Sequence, residues 1–181
     1  MSTFITMLRG INVSGLRKIP MEELRGLYEA MSLANVKTYV QSGNVVFDSE
    51  EEVSSRLVER IEAQIEQVYG YNVPVLIRGT DEFKRGISGN PLLKGMNEDP
   101  AQLHVTFLYS VPSEKEMGVL TPPIGEGEEL AIGEKEIYLY FPNGYGRTKL
   151  NNNYFERKLG IPATTRNWKT VKALYEMAKE R

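Results

Sequence analysis

Thr3–Arg9 is a short, mostly apolar run that reads as a strand, with Ile5 and Met7 on one face and Phe4, Thr6 and Leu8 on the other. A polar stretch, Gly10–Ile19, follows. Pro20 suits a first helical position, and Met21, Leu24, Tyr28 and Met31 then recur at helical spacing. Val36–Gln41 and Asn44–Phe47 read as two short strands joined around Ser42-Gly43, a hairpin signal. Ser49 with Glu52 has the spacing of a capping box, ahead of a helix whose apolar stripe is Val53, Leu57, Ile61, Ile65 and Val68. Val73–Arg78 is a fourth strand. Pro74 cannot donate to a ladder, so this strand lies at an edge or begins there. Thr80 caps a short helix that runs to about Ile87.

The second half starts the same way. Leu103–Tyr109 reads as a strand, Ser113 with Glu116 as a capping box for a short helix, Gly118–Gly127 as a loop, and Leu130–Ile132 with Glu136–Phe141 as a hairpin around Gly133. Thr148 is the expected cap of a helix carrying Leu150, Tyr154, Phe155 and Leu159 on one face, stopped by Gly160 and Pro162. Thr164-Thr165-Arg166-Asn167-Trp168 is read as the opening of a last helix, capped by Asn167 and carrying Trp168, Val171, Leu174 and Ala178.

Strand, helix, strand, strand, helix, strand is the order of the split βαβ, or ferredoxin-like, unit. The expected fold is α+β: a ferredoxin-like subdomain over 1–87, a connecting segment over 88–100 rich in turn formers (Asn90-Pro91, Gly95, Asn97-Glu98-Asp99-Pro100), and a second, related α+β subdomain over 101–181 with two C-terminal helices. No residue-level repeat is evident between the halves.

Composition changes this picture in one respect. The 181 residues carry a formal net charge of −2. Yet Pro142–Lys172 holds seven basic side chains (Arg147, Lys149, Arg157, Lys158, Arg166, Lys169, Lys172) against one acid, Glu156. A local basic excess on a mildly acidic chain points to a confined anion site. The chain has no cysteine, which excludes disulfides, thiolate metal sites, iron–sulfur clusters and a cysteine nucleophile. There is no secretory signal pattern and no apolar run of membrane-spanning length, so the expectation is a cytoplasmic protein with no membrane association.

The candidate chemistry lies in three places. Gly144 and Gly146 flank Tyr145 just before the helix expected at Thr148, with Arg147 and Lys149 beside it. Glycines let successive N–H groups turn toward one point, and a helix N-terminus adds positive potential, so the segment reads as a phosphate or carboxylate cradle. A tight strand-to-helix turn with solvated bases accounts equally well for the same residues. Thr165 and Arg166 bring a hydroxyl and a planar guanidinium to a second helix start. Gly10 and Gly15 have the spacing of a nucleotide P-loop, but Leu16-Arg17 stands where that motif needs lysine and then serine or threonine. From that loop Arg9 and Asn12, at the end of a strand, stay as candidates; Gln41 and Asn44, around the hairpin turn, are secondary ones. His104 is the single histidine and has no ligand cluster around it in sequence. The paired glutamates stand at element starts, where the dipole or solvent explains them. No metal, cofactor or catalytic residue is nominated.

Three phrases carry a resemblance. They are Leu8-Arg9-Gly10-Ile11-Asn12-Val13, then Thr38–Phe47 with its Gln41-Ser42-Gly43-Asn44 turn, then Gly144–Leu150 together with Ala163–Trp168. In this order and spacing the chain resembles the bacterial domain-of-unknown-function family 1697 over nearly its whole length. The resemblance implies an α+β fold of two related subdomains and brings no established activity.

Three function classes follow. The leading one is binding of a small phosphorylated or carboxylated ligand at a basic cleft between the subdomains. There, any catalysis would rest on electrostatic stabilisation, with Tyr145 or Lys149 moving the proton. The second is a nucleic-acid-binding module that stacks bases on Tyr39, Phe47, Tyr138, Tyr140 or Tyr145. Against it stand the acidic balance, the glutamates of 50–66 and the absence of an RNA-binding sheet motif. The third is a non-catalytic homodimer formed through an exposed sheet face.

Overall fold

The computed structural model describes residues 1–95 and 99–181. Of the turn formers expected at the junction, Asn97 and Glu98 lie outside the described residues. The chain divides into two compact units, Met1–Lys84 with Ala173–Arg181, and Arg85–Lys172. Each holds a four-stranded antiparallel sheet.

The first unit contains β1 (Ser2–Leu8), α1 (Met21–Ala30), β2 (Ala34–Tyr39), β3 (Asn44–Ser49), α2 (Ser54–Tyr69), β4 (Val75–Gly79) and the first part of α3 (Thr80–Ser88). Its sheet order is β2-β3-β1-β4. β4 is at the edge and begins one residue after Pro74, the placement that the missing N–H requires. Phe4, Leu8, Val45 and Phe47 face a core completed by Leu24, Tyr28, Leu57, Ile61 and Ile65. Each such side chain, fully buried, contributes about 1.5–3 kcal/mol. The hairpin turn demands glycine at Gly43: its φ is 83°, and a Cβ there would come within 2.6 Å of Ile11 Cδ1.

The second unit contains the end of α3, then β5 (Leu103–Leu108), α4 (Glu114–Gly118), β6 (Glu129–Ile132), β7 (Glu136–Tyr140), α5 (Asn152–Leu159), β8 (Ala163–Asn167) and the start of α6 (Trp168–Lys179). Its sheet order is β6-β7-β5-β8. Leu108, Ile137, Leu139 and Ala163 pack with Leu150, Phe155 and Leu159 of the α5 region.

Three local expectations are corrected. Ala163–Asn167 is a strand paired along β5, not a helix start; its β-branched Thr164-Thr165 suits the pleat. Asn167 still caps α6, its Oδ1 accepting from Thr170 N–H at 2.8 Å. Ser49 does not cap α2. Its Oγ accepts from Glu51 N–H, and Val53 occupies the cap position without a side-chain bond. Thr148 does not cap α5 either. Asn151 does so, accepting from Tyr154 N–H at 3.1 Å, while Thr148 Oγ1 accepts from Leu150 N–H. The Ser113–Glu116 capping box forms with both of its bonds.

The two units repeat each other at residue level. Leu8 pairs with Val75 as Leu108 pairs with Ala163. Thr6 pairs with Val45 as Thr106 pairs with Ile137. Pro74 and Pro162 precede the fourth strands and accept from the Arg9 and Tyr109 N–H groups at 3.0 and 3.1 Å. Gly70 and Gly160 end α2 and α5 in the left-handed conformation. A glutamate of each helix, Glu62 and Glu156, accepts from the first N–H of the following strand, at Val75 and Ala163.

On the face of the first sheet turned away from α1 and α2, Ile5, Met7 and Val46 are fully enclosed; in the second, Val105, Phe107 and Tyr138 are buried likewise.

Candidate functional site

β7 ends at Tyr140, and the chain turns through Phe141–Gly144 into a single 3-10 turn, Tyr145–Arg147. Gly144 supplies the positive φ of 84° at its entry. The N–H groups of Gly144, Arg147 and Thr148 donate to Phe141, Gly144 and Tyr145 carbonyls, so the turn uses them internally. Arg147 and Gly146 are exposed and Thr148 is buried. The Tyr145 ring stacks on His104 at 5.1 Å and 20°, and tilts against Phe141 at 5.8 Å. Its hydroxyl accepts from Asn152 N–H at 3.4 Å.

Lys149 leaves this turn beside α5. Helical spacing then sets Asn153 and Arg157 in one row, and Asn151, Tyr154 and Lys158 in the next. Together with Thr148, Thr121 and Pro123 these residues line a hollow of about 500 Å³. Its described lining holds three cations and no acid. Tyr154 is 7 % exposed, and its hydroxyl has no hydrogen-bond partner among the described residues.

Thr165 and Arg166 belong to β8 and point to opposite faces of the sheet. Thr165 Oγ1 meets Thr106 Oγ1 at 2.7 Å and donates to Asn152 Oδ1 at 2.5 Å, tying β8 to the first residue of α5. Arg166 sits opposite Val105, on the face away from the His104–Tyr145 stack. It is 7 % exposed, and its Nη1 donates to Thr164 Oγ1 at 2.7 Å and Thr165 O at 3.0 Å. Burial pushes its guanidinium down to about 10, opposed by the Tyr109 and Tyr145 phenols. It therefore stays charged at neutral pH.

The four candidates of the first unit cluster around two adjacent turns. Arg9 is half-buried at the end of β1, its N–H bonded to Pro74 O. Asn12 lies in the left-handed region (φ 54°). Its Nδ2 donates to Ile19 O at 3.0 Å and Gln41 O at 2.8 Å, and its Oδ1 accepts from Ile19 N–H at 2.9 Å. Asn44 is buried, with Nδ2 donating to Tyr39 O and Ser42 Oγ. Asn12 and Gln41 border a second hollow, of about 610 Å³, with Lys18, Met21 and Glu22. The amides of Asn12 and Asn44 thus close loops.

The sequence counts Arg157 and Lys158 in the basic excess without singling them out; both stand in the last turn of α5, where the helix dipole also favours cations. The Lys149–Asn153–Arg157 spacing was the available signal. Of the aromatics considered for base stacking, Phe47 and Tyr138 are buried. Among the described residues no three His, Cys, Asp or Glu side chains group as metal ligands, and no helix is long and apolar enough to cross a membrane.

The fold is similar to that of a solved structure titled as the conserved bacterial protein SP0830 from Streptococcus pneumoniae. The two share 24% sequence identity and a TM-score of 0.75, with 98% of each chain covered. No curated protein matches the chain. A family model matches residues 1–138, and by that match the chain belongs to the family described as "Protein of unknown function (DUF1697)".

Proposed function

We propose that the protein binds a small anionic ligand, phosphorylated or carboxylated, in the hollow along α5 of the second unit. The observation that carries this reading is the convergence of Lys149, Arg157 and Lys158 on one concavity whose described lining contains no acid. Three cations held within one depression raise the local concentration of a small anion, and the effect weakens as salt screens it. Gly144, Tyr145, Gly146 and Arg147 enter as the turn that delivers Lys149, stiffened by the Tyr145–His104 stack. Arg166 and Thr165 enter as supports. Arg166 is a fixed buried charge of the same unit, and Thr165 a strut to Asn152. A long polyanion fits less well, since the aromatic platform it would need is partly buried.

Isothermal titration calorimetry of the full chain with inorganic phosphate and with citrate, at low and high salt, tests this. Saturable heat with at least one anion is expected at low salt. It should be lost in the triple variant Lys149→Gln, Arg157→Gln, Lys158→Gln with its circular dichroism unchanged. Absence of binding of any anion by the unmodified protein, phosphomonoesters included, or undiminished binding by the triple variant, overturns the reading.

A further inference from the structure

Resting on that anion-binding reading, we infer that the ligand is a phosphomonoester of a polyhydroxylated body, the sugar-phosphate class. The hollow offers more than charge. Thr148 Oγ1 accepts from Leu150 N–H, which leaves its hydroxyl proton to donate. Asn151 Oδ1 is taken by the Tyr154 N–H, which leaves its amide NH₂ as a donor. Asn153 is exposed and brings both a donor and an acceptor. Tyr154 lines the same wall, and its buried hydroxyl has no partner among the described residues, a condition that costs about 1–3 kcal/mol unless a ligand or water relieves it.

Asn153 and Tyr154, which can both donate and accept, match hydroxyls, and the Thr148 and Asn151 donors serve either hydroxyls or phosphate. A bare phosphate consists almost wholly of acceptors and would leave the acceptors of the wall unused. Volume agrees. The hollow, at about 500 Å³, falls within the roughly 300–1,000 Å³ typical of small-molecule sites and exceeds what a lone phosphate fills. Three cations suit a phosphomonoester dianion better than a single carboxylate. A nucleotide base is not provided for. Tyr154 is the one aromatic ring among the described lining residues, and at 7 % exposure it presents no face on which to stack.

The experiment is calorimetry of the full chain with inorganic phosphate, D-ribose 5-phosphate, D-ribose, adenosine 5′-phosphate and citrate. Ribose 5-phosphate should bind at least tenfold tighter than inorganic phosphate, ribose should not bind, and adenosine 5′-phosphate should gain nothing over ribose 5-phosphate. Asn153→Leu, on an exposed position, should bring ribose 5-phosphate down to the affinity of phosphate while leaving phosphate itself unchanged. Equal affinity for phosphate and ribose 5-phosphate overturns this inference and leaves the anion site standing, as does citrate or adenosine 5′-phosphate binding tenfold tighter than ribose 5-phosphate. Failure of all four anions removes the anion site and this inference with it.

Discussion

Arg78 and Arg166 occupy the same place in two different sheets. Arg78 is three residues beyond the Val75–Leu8 pair and faces Ile5; Arg166 is three beyond Ala163–Leu108 and faces Val105. Each bonds through Nη1 to the carbonyl of the residue before it, Ile77 or Thr165, at 3.0 Å. Each is nearly enclosed, at 4 % and 7 % exposure. A guanidinium on a buried sheet face is costly to desolvate and persists only where its donors find acceptors. Its recurrence at one register position, together with the Pro74/Pro162 and Gly70/Gly160 correspondences, makes the two units copies of one plan and gives that plan a shared polar fixture.

Removing either arginine should therefore destabilise its unit strongly. Arg166→Ala deletes a buried side chain and strips Thr164 Oγ1 and Thr165 O of a donor, a loss of about 2–4 kcal/mol from cavity and hydrogen-bond terms together. Arg78→Ala should cost a similar amount, since it also ends the 3.4 Å ion pair with Glu82. Urea denaturation checks both. A change below about 0.5 kcal/mol, the level of an ordinary surface substitution, would refute the structural role.

How much of this was legible beforehand follows the physics of each element. Short apolar runs such as β1, and the hairpin at Gly43, are local patterns and are read directly. β8 is not local. Ala163-Thr164-Thr165-Arg166-Asn167 has no apolar alternation, because its second buried face is filled by Thr164 and Arg166, and its identity rests on pairing with β5 some 59 residues away at Thr106–Thr165. The repeat stayed hidden for a related reason. It resides in register and in a few residues such as Pro74 and Pro162, while the core side chains around them differ. Both misplaced caps have one cause: Ser49 and Thr148 bond to N–H groups two residues on, forming turns ahead of the helix instead of its first cap. The basic excess at the C-terminal segment was visible in composition. Which of its members share a wall, Lys149, Arg157 and Lys158, was not, because that depends on where α5 begins.

His104 links stability to pH. It is 8 % exposed, its Nδ1 has no hydrogen-bond partner among the described residues, and its ring packs against those of Tyr145 and Phe141. Burial holds its pKa below the usual 6.5, opposed by a hydrogen bond with the Gln102 backbone. The unfolded chain then takes up a proton near 6.5 that the folded chain refuses, so stability falls as pH drops below about 6.5. Melting temperatures of the unmodified protein should decline from pH 7.5 to 5.5. In His104→Phe, which keeps the stack, that decline should shrink. Parallel pH profiles for the two proteins would show that the histidine is not the source.

Asn12 should prove a structural asparagine. Its side chain makes three hydrogen bonds that join the loop after β1 to Ile19 and to the β2–β3 turn. At about 0.5–1.5 kcal/mol each, their loss in Asn12→Ala amounts to about 2–3 kcal/mol, enlarged by the positive φ that alanine tolerates poorly. Asn12→Asp should be worse, since a carboxylate would face the two carbonyls that the amide now donates to. Denaturant melts give the stabilities, and limited proteolysis reads opening of the 10–18 loop. An Asn12→Asp variant as stable as the unmodified protein would contradict the bonding assigned.

Val40 offers a change in the opposite direction. It has φ 50° at the hairpin turn although it is β-branched, and the residue is 46 % exposed. The left-handed region costs an ordinary L-residue roughly 1–2 kcal/mol, and a half-exposed valine recovers little of that through burial. Asparagine tolerates this conformation far better and, unlike glycine, does not add the extra backbone entropy of about 0.5–1 kcal/mol to the unfolded chain. Val40→Asn should therefore stabilise the protein by about 1 kcal/mol, a rise of roughly 2–4 °C in Tm for a chain of this size. Calorimetric melting decides it. A fall in Tm would mean that the valine side chain makes a contribution at this turn larger than its backbone strain.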